Sequence, residues 1–441
     1  MLRKFPTPRL HCLGPQRRAV HLGHLPNSRS PLVPTLSFFN SVTGSDEKIP
    51  TFRVLDGVGK PVEGAQVPEI DEAFARKLYE NMQLLPTLDT VLYNVQRQGK
   101  ISFHMTSHGE EATIIGAAAA LEMDDEVLGQ YREMGVLLWR GFGIDSVMAQ
   151  CFGNQDDTSG KGRQMPVHFG SPKHHFHTIS SPLATQIPQA AGVGYALRRS
   201  PDRRSRSIAA CFFGEGAASE GDFHAGLLLA STIPSPTLFI ARNNGFAIST
   251  PSTEQYYGDG IASRGPGYGI DTVRVDGNDI LAVLAAVREA RRRTLEQGRA
   301  VLIEAMSYRV GHHSTSDDSF AYRQRSEVED RKRVDNPIVR FRLYMESRGW
   351  WDAAAEEELK ARLKADVMKA FKRAESLPRC ELGELFTDVY AGEEPWNITE
   401  QRKELTQLLK KYGQVWEPWR TELGKFKNGG EGSDAVGCLN R

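Results

Sequence analysis

An acid and an amide, Glu215 and Asn244, each close an apolar run that reads as a buried strand, with one helix's length of chain between them. The first run, residues 208–213, breaks into the turn Gly214-Glu215-Gly216. A helical stretch over 219–231 follows, then a second run over 237–241 that ends in Arg242-Asn243-Asn244. This is the pattern of one βαβ unit. Neighbouring strands of a parallel sheet lie about 4.8 Å apart, and ligands bind outside their carboxyl ends. Glu215 and Asn244 are therefore expected side by side at such an edge. A carboxylate and an amide oxygen form a partial shell for Mg²⁺, which completes its octahedron with substrate phosphates and water. The chemistry implied is a diphosphate held through a metal. A dinucleotide fold is the alternative, because Gly214-x-Gly216 with Ser219 as the third small residue is most of that fingerprint. Against it, the acid between the glycines would repel a pyrophosphate, and the second strand lacks the ribose-binding acid.

The pairing of Gly214-Glu215-Gly216 with Asn243-Asn244 resembles the thiamine-diphosphate motif, with Glu where the motif usually has Asp. The wider wording, GEGAASEGD and RNNGFAIST, resembles the α subunits of branched-chain 2-oxoacid dehydrogenase complexes over roughly 130–351. The resemblance implies thiamine diphosphate, Mg²⁺ and K⁺ as cofactors. It assigns Glu215, Asn244 and the backbone carbonyl of Phe246 to Mg²⁺. It assigns Tyr131, Arg132, Ser181, Gly216, Ala217, Arg242 and His313 to the cofactor, and Ser180, Pro182, Thr185 and Gln186 to K⁺. Taken by type alone, several of these have plainer readings. Ser and Thr before a helix are usually caps, and an Arg after a Tyr is usually a surface cation.

His312 and His313 follow the apolar run 300–306, again at an expected carboxyl edge, within Gly311-His312-His313-Ser314-Thr315-Ser316-Asp317-Asp318. A His there can donate to phosphate or carry a proton near neutral pH, although a His pair in a polar loop is often only surface. The resemblance makes His313 catalytic, in contact with the diphosphate and handling protons during acyl transfer. It makes Ser314 a regulatory phosphorylation site. The order GHHS, in place of HGHS, favours branched-chain substrates over pyruvate. Gln324 stands where animal relatives have a second serine, and Leu228-Leu229 where Asn-Phe is usual.

The elements that must position these residues alternate between strand and helix, which implies an α/β fold with a doubly wound, mainly parallel sheet. The resemblance makes it the thiamine-diphosphate-binding fold, with helical extensions at both ends. Residues 71–98 carry Phe74, Leu78, Met82 and Leu85 at helical spacing, with Pro86 marking a break or kink. Helices are also expected over 110–122, 188–198, 280–297 and much of 337–375. The chain divides into a leader (1–45), an N-terminal helical extension (46–105), the diphosphate domain (106–330), a C-terminal helical region (331–427) and a disordered tail (428–441).

The 441 residues carry 55 Lys and Arg against 55 Asp and Glu, so charge makes no case for nucleic acid or an anionic membrane as partner. No apolar run approaches the ~20 residues of a span. Five scattered cysteines without C-x-x-C suit a reducing compartment. The first 45 residues bear six basic residues and no acid, as transit peptides do. With the resemblance this implies the mitochondrial matrix. One diphosphate-type unit, and no convincing second one, implies that a β subunit completes the site in a heterotetramer of two α and two β chains. A lipoyl-bearing acyltransferase core would take the acyl group, and a kinase and a phosphatase would act on the loop. The readings within reach are a branched-chain 2-oxoacid dehydrogenase subunit, its pyruvate counterpart, or a catalytically dead regulatory homologue.

Overall fold

The computed structural model describes residues 48–427; the expected leader and tail lie outside them. The strands in chain order are β1 (Thr51–Phe52), β2 (Glu126–Leu128), β3 (Phe176–His177), β4 (Ala209–Gly214), β5 (Thr237–Asn243), β6 (Phe246–Ala247), β7 (Thr250–Pro251), β8 (Asp271–Asp276) and β9 (Val301–Met306). Seven of them form one sheet in the order β1-β8-β9-β5-β4-β2-β3, and every pairing in it is parallel. β6 and β7 make a small antiparallel ribbon.

Alternation along the strands builds two cores. Ala210 and Phe212 of β4, with Leu238 and Ile240 of β5, face one side. Ala209, Cys211 and Phe213, with Phe239 and Ala241, face the other. Both faces are covered, so these strands read as continuous apolar runs. The helices are α1 (Glu72–Arg97), α2 (Glu111–Ala120), α3 (Met134–Trp139), α4 (Ile144–Phe152), α5 (Gln186–Arg199), α6 (Gly221–Thr232), α7 (Ile280–Gln297), α8 (Arg325–Val334), α9 (Pro337–Ser347), α10 (Ala353–Ser376) and α11 (Trp396–Lys411), besides shorter turns. α2 packs with α7 over the first face, and α5 with α6 over the second.

Helix α7 spans the residues expected from periodicity, and its start is fixed by Asp279. That fully buried carboxylate caps Leu281 N at 3.1 Å and Ala282 N at 3.2 Å, and also takes Val54 N at 2.7 Å and Leu55 N at 2.5 Å. One acid thus ends a helix and ties the N-terminal segment to the sheet. Pro86 does not break α1, which runs unbroken from Glu72 to Arg97. The helix buries Leu78, Met82, Leu85 and Leu92 in the same cluster that holds Phe341, Leu363 and Val367 of the C-terminal helices. Burial of that apolar stripe outweighs the one backbone bond that proline cannot donate.

Candidate diphosphate and metal site

Four neighbouring strands, β2, β4, β5 and β9, release their chains at one edge of the sheet. Gln130-Tyr131-Arg132 follows β2, Glu215-Gly216-Ala217 follows β4, Asn244 follows β5, and the loop bearing His313 follows β9. In the β4–β5 register Gly214 lies opposite Arg242. Asn244 N accordingly donates to Glu215 Oε2 at 3.3 Å, and the acid and amide do stand side by side. A cavity of about 160 Å³ lies here, lined by residues of all four strand ends, Arg132, Glu215, Arg242 and His313 among them. Gly216 belongs where it is because a Cβ there would meet the Ala247 Cβ at 2.8 Å.

The charges in this edge are buried and mutually arranged. Glu110, at the start of α2, accepts from Arg242 Nη1 and, at 2.6 Å, from Asn244 Nδ2. Arg132 Nε lies 3.7 Å from Glu110 Oε1. Glu133 stands 2.8 Å from Arg242 Nη2, and its other oxygen takes Gln130 N at 2.7 Å and Tyr131 N at 2.9 Å. Burial alone would raise the Glu110 carboxyl, but Arg242 and Arg132 outweigh it and hold the group below its ordinary value. Glu215 feels Arg242 only weakly, and desolvation prevails. Burial raises its carboxyl, and Oε1 is buried without a hydrogen-bond partner. A buried acid with an orphaned oxygen is what a metal position requires of its ligand. Asn244 fits the same position, because its Nδ2 donates to Glu110 and its oxygen, which accepts only a long bond from Phe246 N at 3.3 Å, keeps a second lone pair. The Phe246 carbonyl meets only a distant Arg309 Nη1, at 3.4 Å.

Arg242 likewise keeps a donor in reserve, since its buried Nε makes no hydrogen bond while Nη1 and Nη2 face Glu110 and Glu133. Arg132 is more committed. It donates to the Thr106 carbonyl and, at 2.9 Å, to the His313 carbonyl, so it fixes the loop besides facing the cavity. His313 Nδ1 lies 3.3 Å from Arg132 Nη2 and 3.4 Å from Arg309 Nη1. Burial first, then those two guanidiniums, push its imidazole down to about 3. His313 is therefore neutral at physiological pH, a proton acceptor and not a standing cation. The segment 180–186 passes beside the cavity, which Leu183 lines. Ala184, at φ +66°, bends the chain there. Thr185 Oγ1 donates to the Pro182 carbonyl at 3.1 Å, and Gln186 Nε2 to the Phe212 carbonyl at 3.1 Å. Ser180 and Ser181 are exposed, with Ser181 Oγ 2.8 Å from His168 Nε2. The Thr185 hydroxyl and the Pro182 carbonyl thus meet at this bend.

The family described as dehydrogenase E1 component matches residues 79–382, more than half of the chain. The chain belongs to the dehydrogenase E1 component family. It is similar to the mitochondrial 2-oxoisovalerate dehydrogenase subunit alpha of Homo sapiens, 50% identical over 391 residues, covering 88% of this chain and 86% of the relative. The Caenorhabditis elegans protein of the same name is 51% identical over 364 residues, 82% of this chain and 83% of the relative. The Arabidopsis thaliana 2-oxoisovalerate dehydrogenase subunit alpha 1 is 49% identical over 374 residues, 85% and 78%. Membership in the dehydrogenase E1 component family implies thiamine diphosphate, and the dinucleotide reading falls. Glu110, Glu133 and Arg309 were not singled out from sequence. Glu110 opens a helix, where acids are common for their effect on the dipole, and that ordinary role concealed it.

Proposed function

We propose that this chain is the α subunit of a branched-chain 2-oxoacid dehydrogenase, a mitochondrial oxidoreductase component that uses thiamine diphosphate. The supporting observation is the meeting of four strand ends around a buried acid with an orphaned oxygen, Glu215 Oε1. Mg²⁺ would be held by Glu215, Asn244 and the Phe246 carbonyl. The diphosphate would be held by Tyr131, Arg132, Arg242 and His313 beside the turn Gly216-Ala217, with Ser181 facing the cofactor. K⁺ would be held by Ser180, Pro182, Thr185 and Gln186.

The cofactor, when bound, supplies an acceptor for the electron pair released as CO₂ leaves a 2-oxoacid. The chain's own part is binding, orientation and proton handling. Arg242 would offer Nε to a phosphate oxygen, and Glu110 and Glu133 hold its Nη atoms in place. Burial and the charges of Arg132 and Arg309 keep His313 neutral in the chain itself. An anion placed between those guanidiniums would raise its affinity for a proton. The acyl group would pass to a lipoyl-bearing acyltransferase. Ser314 would be the regulatory phosphorylation site, acted on by a kinase and a phosphatase.

The loop wording GHHS and the relatives' shared name favour this over the pyruvate enzyme, and the presence of every proposed ligand disfavours a dead homologue. The deciding experiment is decarboxylation by the chain co-expressed with its β partner. We expect turnover of 2-oxoisovalerate well above that of pyruvate. Preference for pyruvate would overturn the substrate assignment, and no turnover of either would overturn the activity.

A further inference from the structure

Glu110 stands just outside helix α2 as its N-cap residue, yet its side chain caps nothing there. It turns instead into the edge of the sheet, where it is 1% exposed. Oε1 takes the Asn244 amide at 2.6 Å and lies 3.7 Å from Arg132 Nε, while Oε2 takes Arg242 Nη1. One carboxylate thus holds residues released by two strands, β2 and β5, and reaches them from a helix start.

The orientation it imposes is specific. An amide has one donating and one accepting end. With Nδ2 held by Glu110, Asn244 Oδ1 points the other way and accepts from Phe246 N at 3.3 Å, while the Asn244 backbone N donates to Glu215 Oε2. Without an acceptor at Glu110, only the longer Phe246 N contact at 3.3 Å would hold the amide's orientation, and an NH₂ turned toward the metal position cannot ligate a cation. Arg242 has a parallel constraint. Glu110 holds its Nη1 and Glu133 its Nη2, which leaves Nε without a partner.

We infer that Glu110 is a positioning residue for the metal and diphosphate, setting the amide of Asn244 and the fork of Arg242 without touching either ligand. The inference rests on the function proposed above. It adds a residue outside the ligand set on which that set depends.

The test is calorimetric titration of thiamine diphosphate, at fixed Mg²⁺, into the αβ assembly freed of cofactor. Glu110→Gln keeps the size but offers one acceptor where Asn244 and Arg242 both need one. It should weaken cofactor binding roughly 10- to 100-fold, the usual effect of changing a group that orients a metal ligand. A merely structural role would lower the melting temperature of the cofactor-free assembly and leave the affinity alone. Asn244→Ala supplies the second leg. Once the amide is gone, adding Glu110→Gln should cost much less than it costs in the wild type. Should Glu110→Gln fail to assemble, Glu110→Asp keeps the charge but cannot span both partners, and carries the same expectation. Wild-type affinity in the variant that assembles, or full additivity with Asn244→Ala, overturns the inference. If the unaltered assembly binds no cofactor with Mg²⁺, the proposed function fails instead.

Discussion

Glu215 carries a desolvation cost that a bound cation would relieve. Burial raises its carboxyl, and one oxygen has no partner. Glu215→Ala should therefore leave the cofactor-free assembly as stable as the wild type or slightly more so, since unsatisfied buried polar groups destabilise. The same change should weaken Mg²⁺-dependent cofactor binding by roughly 100-fold or more, about 2.7 kcal/mol. Paired measurements of melting temperature and of cofactor affinity check both halves, and Glu215→Asp should fall between. His313 gives a pH signature of its own. Its folded value of about 3 lies below the ordinary His value near 6.5. Between these the unfolded chain binds the extra proton, so the stability His313 contributes is present above about 6.5 and fades as pH falls toward about 3. His313→Gln should flatten that part of the melting-temperature profile in the cofactor-free assembly. Bound diphosphate, an anion between Arg132 and Arg309, should raise the His313 value, which an imidazole NMR titration with and without cofactor would read.

The loop after β9 shows how an element can be set by a few buried charges in place of regular structure. Arg309, 1% exposed, donates to the Ile248 carbonyl at 2.6 Å and to Tyr322 Oη at 2.7 Å. Asp317 takes His313 N at 2.7 Å and Tyr322 Oη at 2.7 Å, and Arg323 Nη2 holds the Gly311 carbonyl at 2.7 Å. Thr315 N and the His104 carbonyl, at 3.0 Å, bind the loop to the segment before α2. Ser314 is only 7% exposed within this frame, and its hydroxyl accepts from Ser316 N at 3.2 Å. A phosphate there adds nearly two charges in a space already facing Asp317, so closure and phosphorylation oppose each other. Ser314→Glu should cut turnover by about 100-fold, the scale at which small misplacements act, and expose residues 308–324 to protease. Ser314→Ala should keep substantial activity and protection. A protected loop in the Glu variant would refute the switch. Such a loop was legible only through its wording, because nothing in its periodicity announces Arg309 as buried or Asp317 as the acceptor that holds His313 N. β4, β5 and α7 were legible from pattern alone, since strands covered on both faces and a capped amphipathic helix carry their packing in the residue order. Pro86 misled because its local cost is visible in sequence and the apolar stripe that overrides it acts only once the C-terminal helices have packed.

Across the whole chain, the site that the described residues form is small. Its cavity of about 160 Å³ is well below the roughly 300–1,000 Å³ usual for a bound cofactor, and its polar groups gather where a diphosphate would lie. Apolar side chains stand uncovered around it: Leu183 is 40% exposed and Ile248 51%, and both line the cavity. Leu228 and Leu229, on the helix that leaves the Glu215 turn, are 54% and 38% exposed. Further exposed apolar groups, Leu385, Val389, Tyr390 and Trp396, lie in the C-terminal region. Surfaces of this kind mark interfaces in soluble proteins. A β chain covering them would supply the missing walls of the pocket and exclude water from the reacting carbon. We therefore expect the purified chain alone to be inactive and prone to association at micromolar concentration. Mixing it with the β partner should restore both a defined heterotetramer, read by light scattering, and decarboxylation of 2-oxoisovalerate. Leu228→Asp, which places a charge on the uncovered helix face, should weaken assembly while leaving the separate chain's helix content unchanged by circular dichroism. Full turnover by the unaccompanied chain would mean that these residues close the site by themselves, and the apolar faces would then need another explanation.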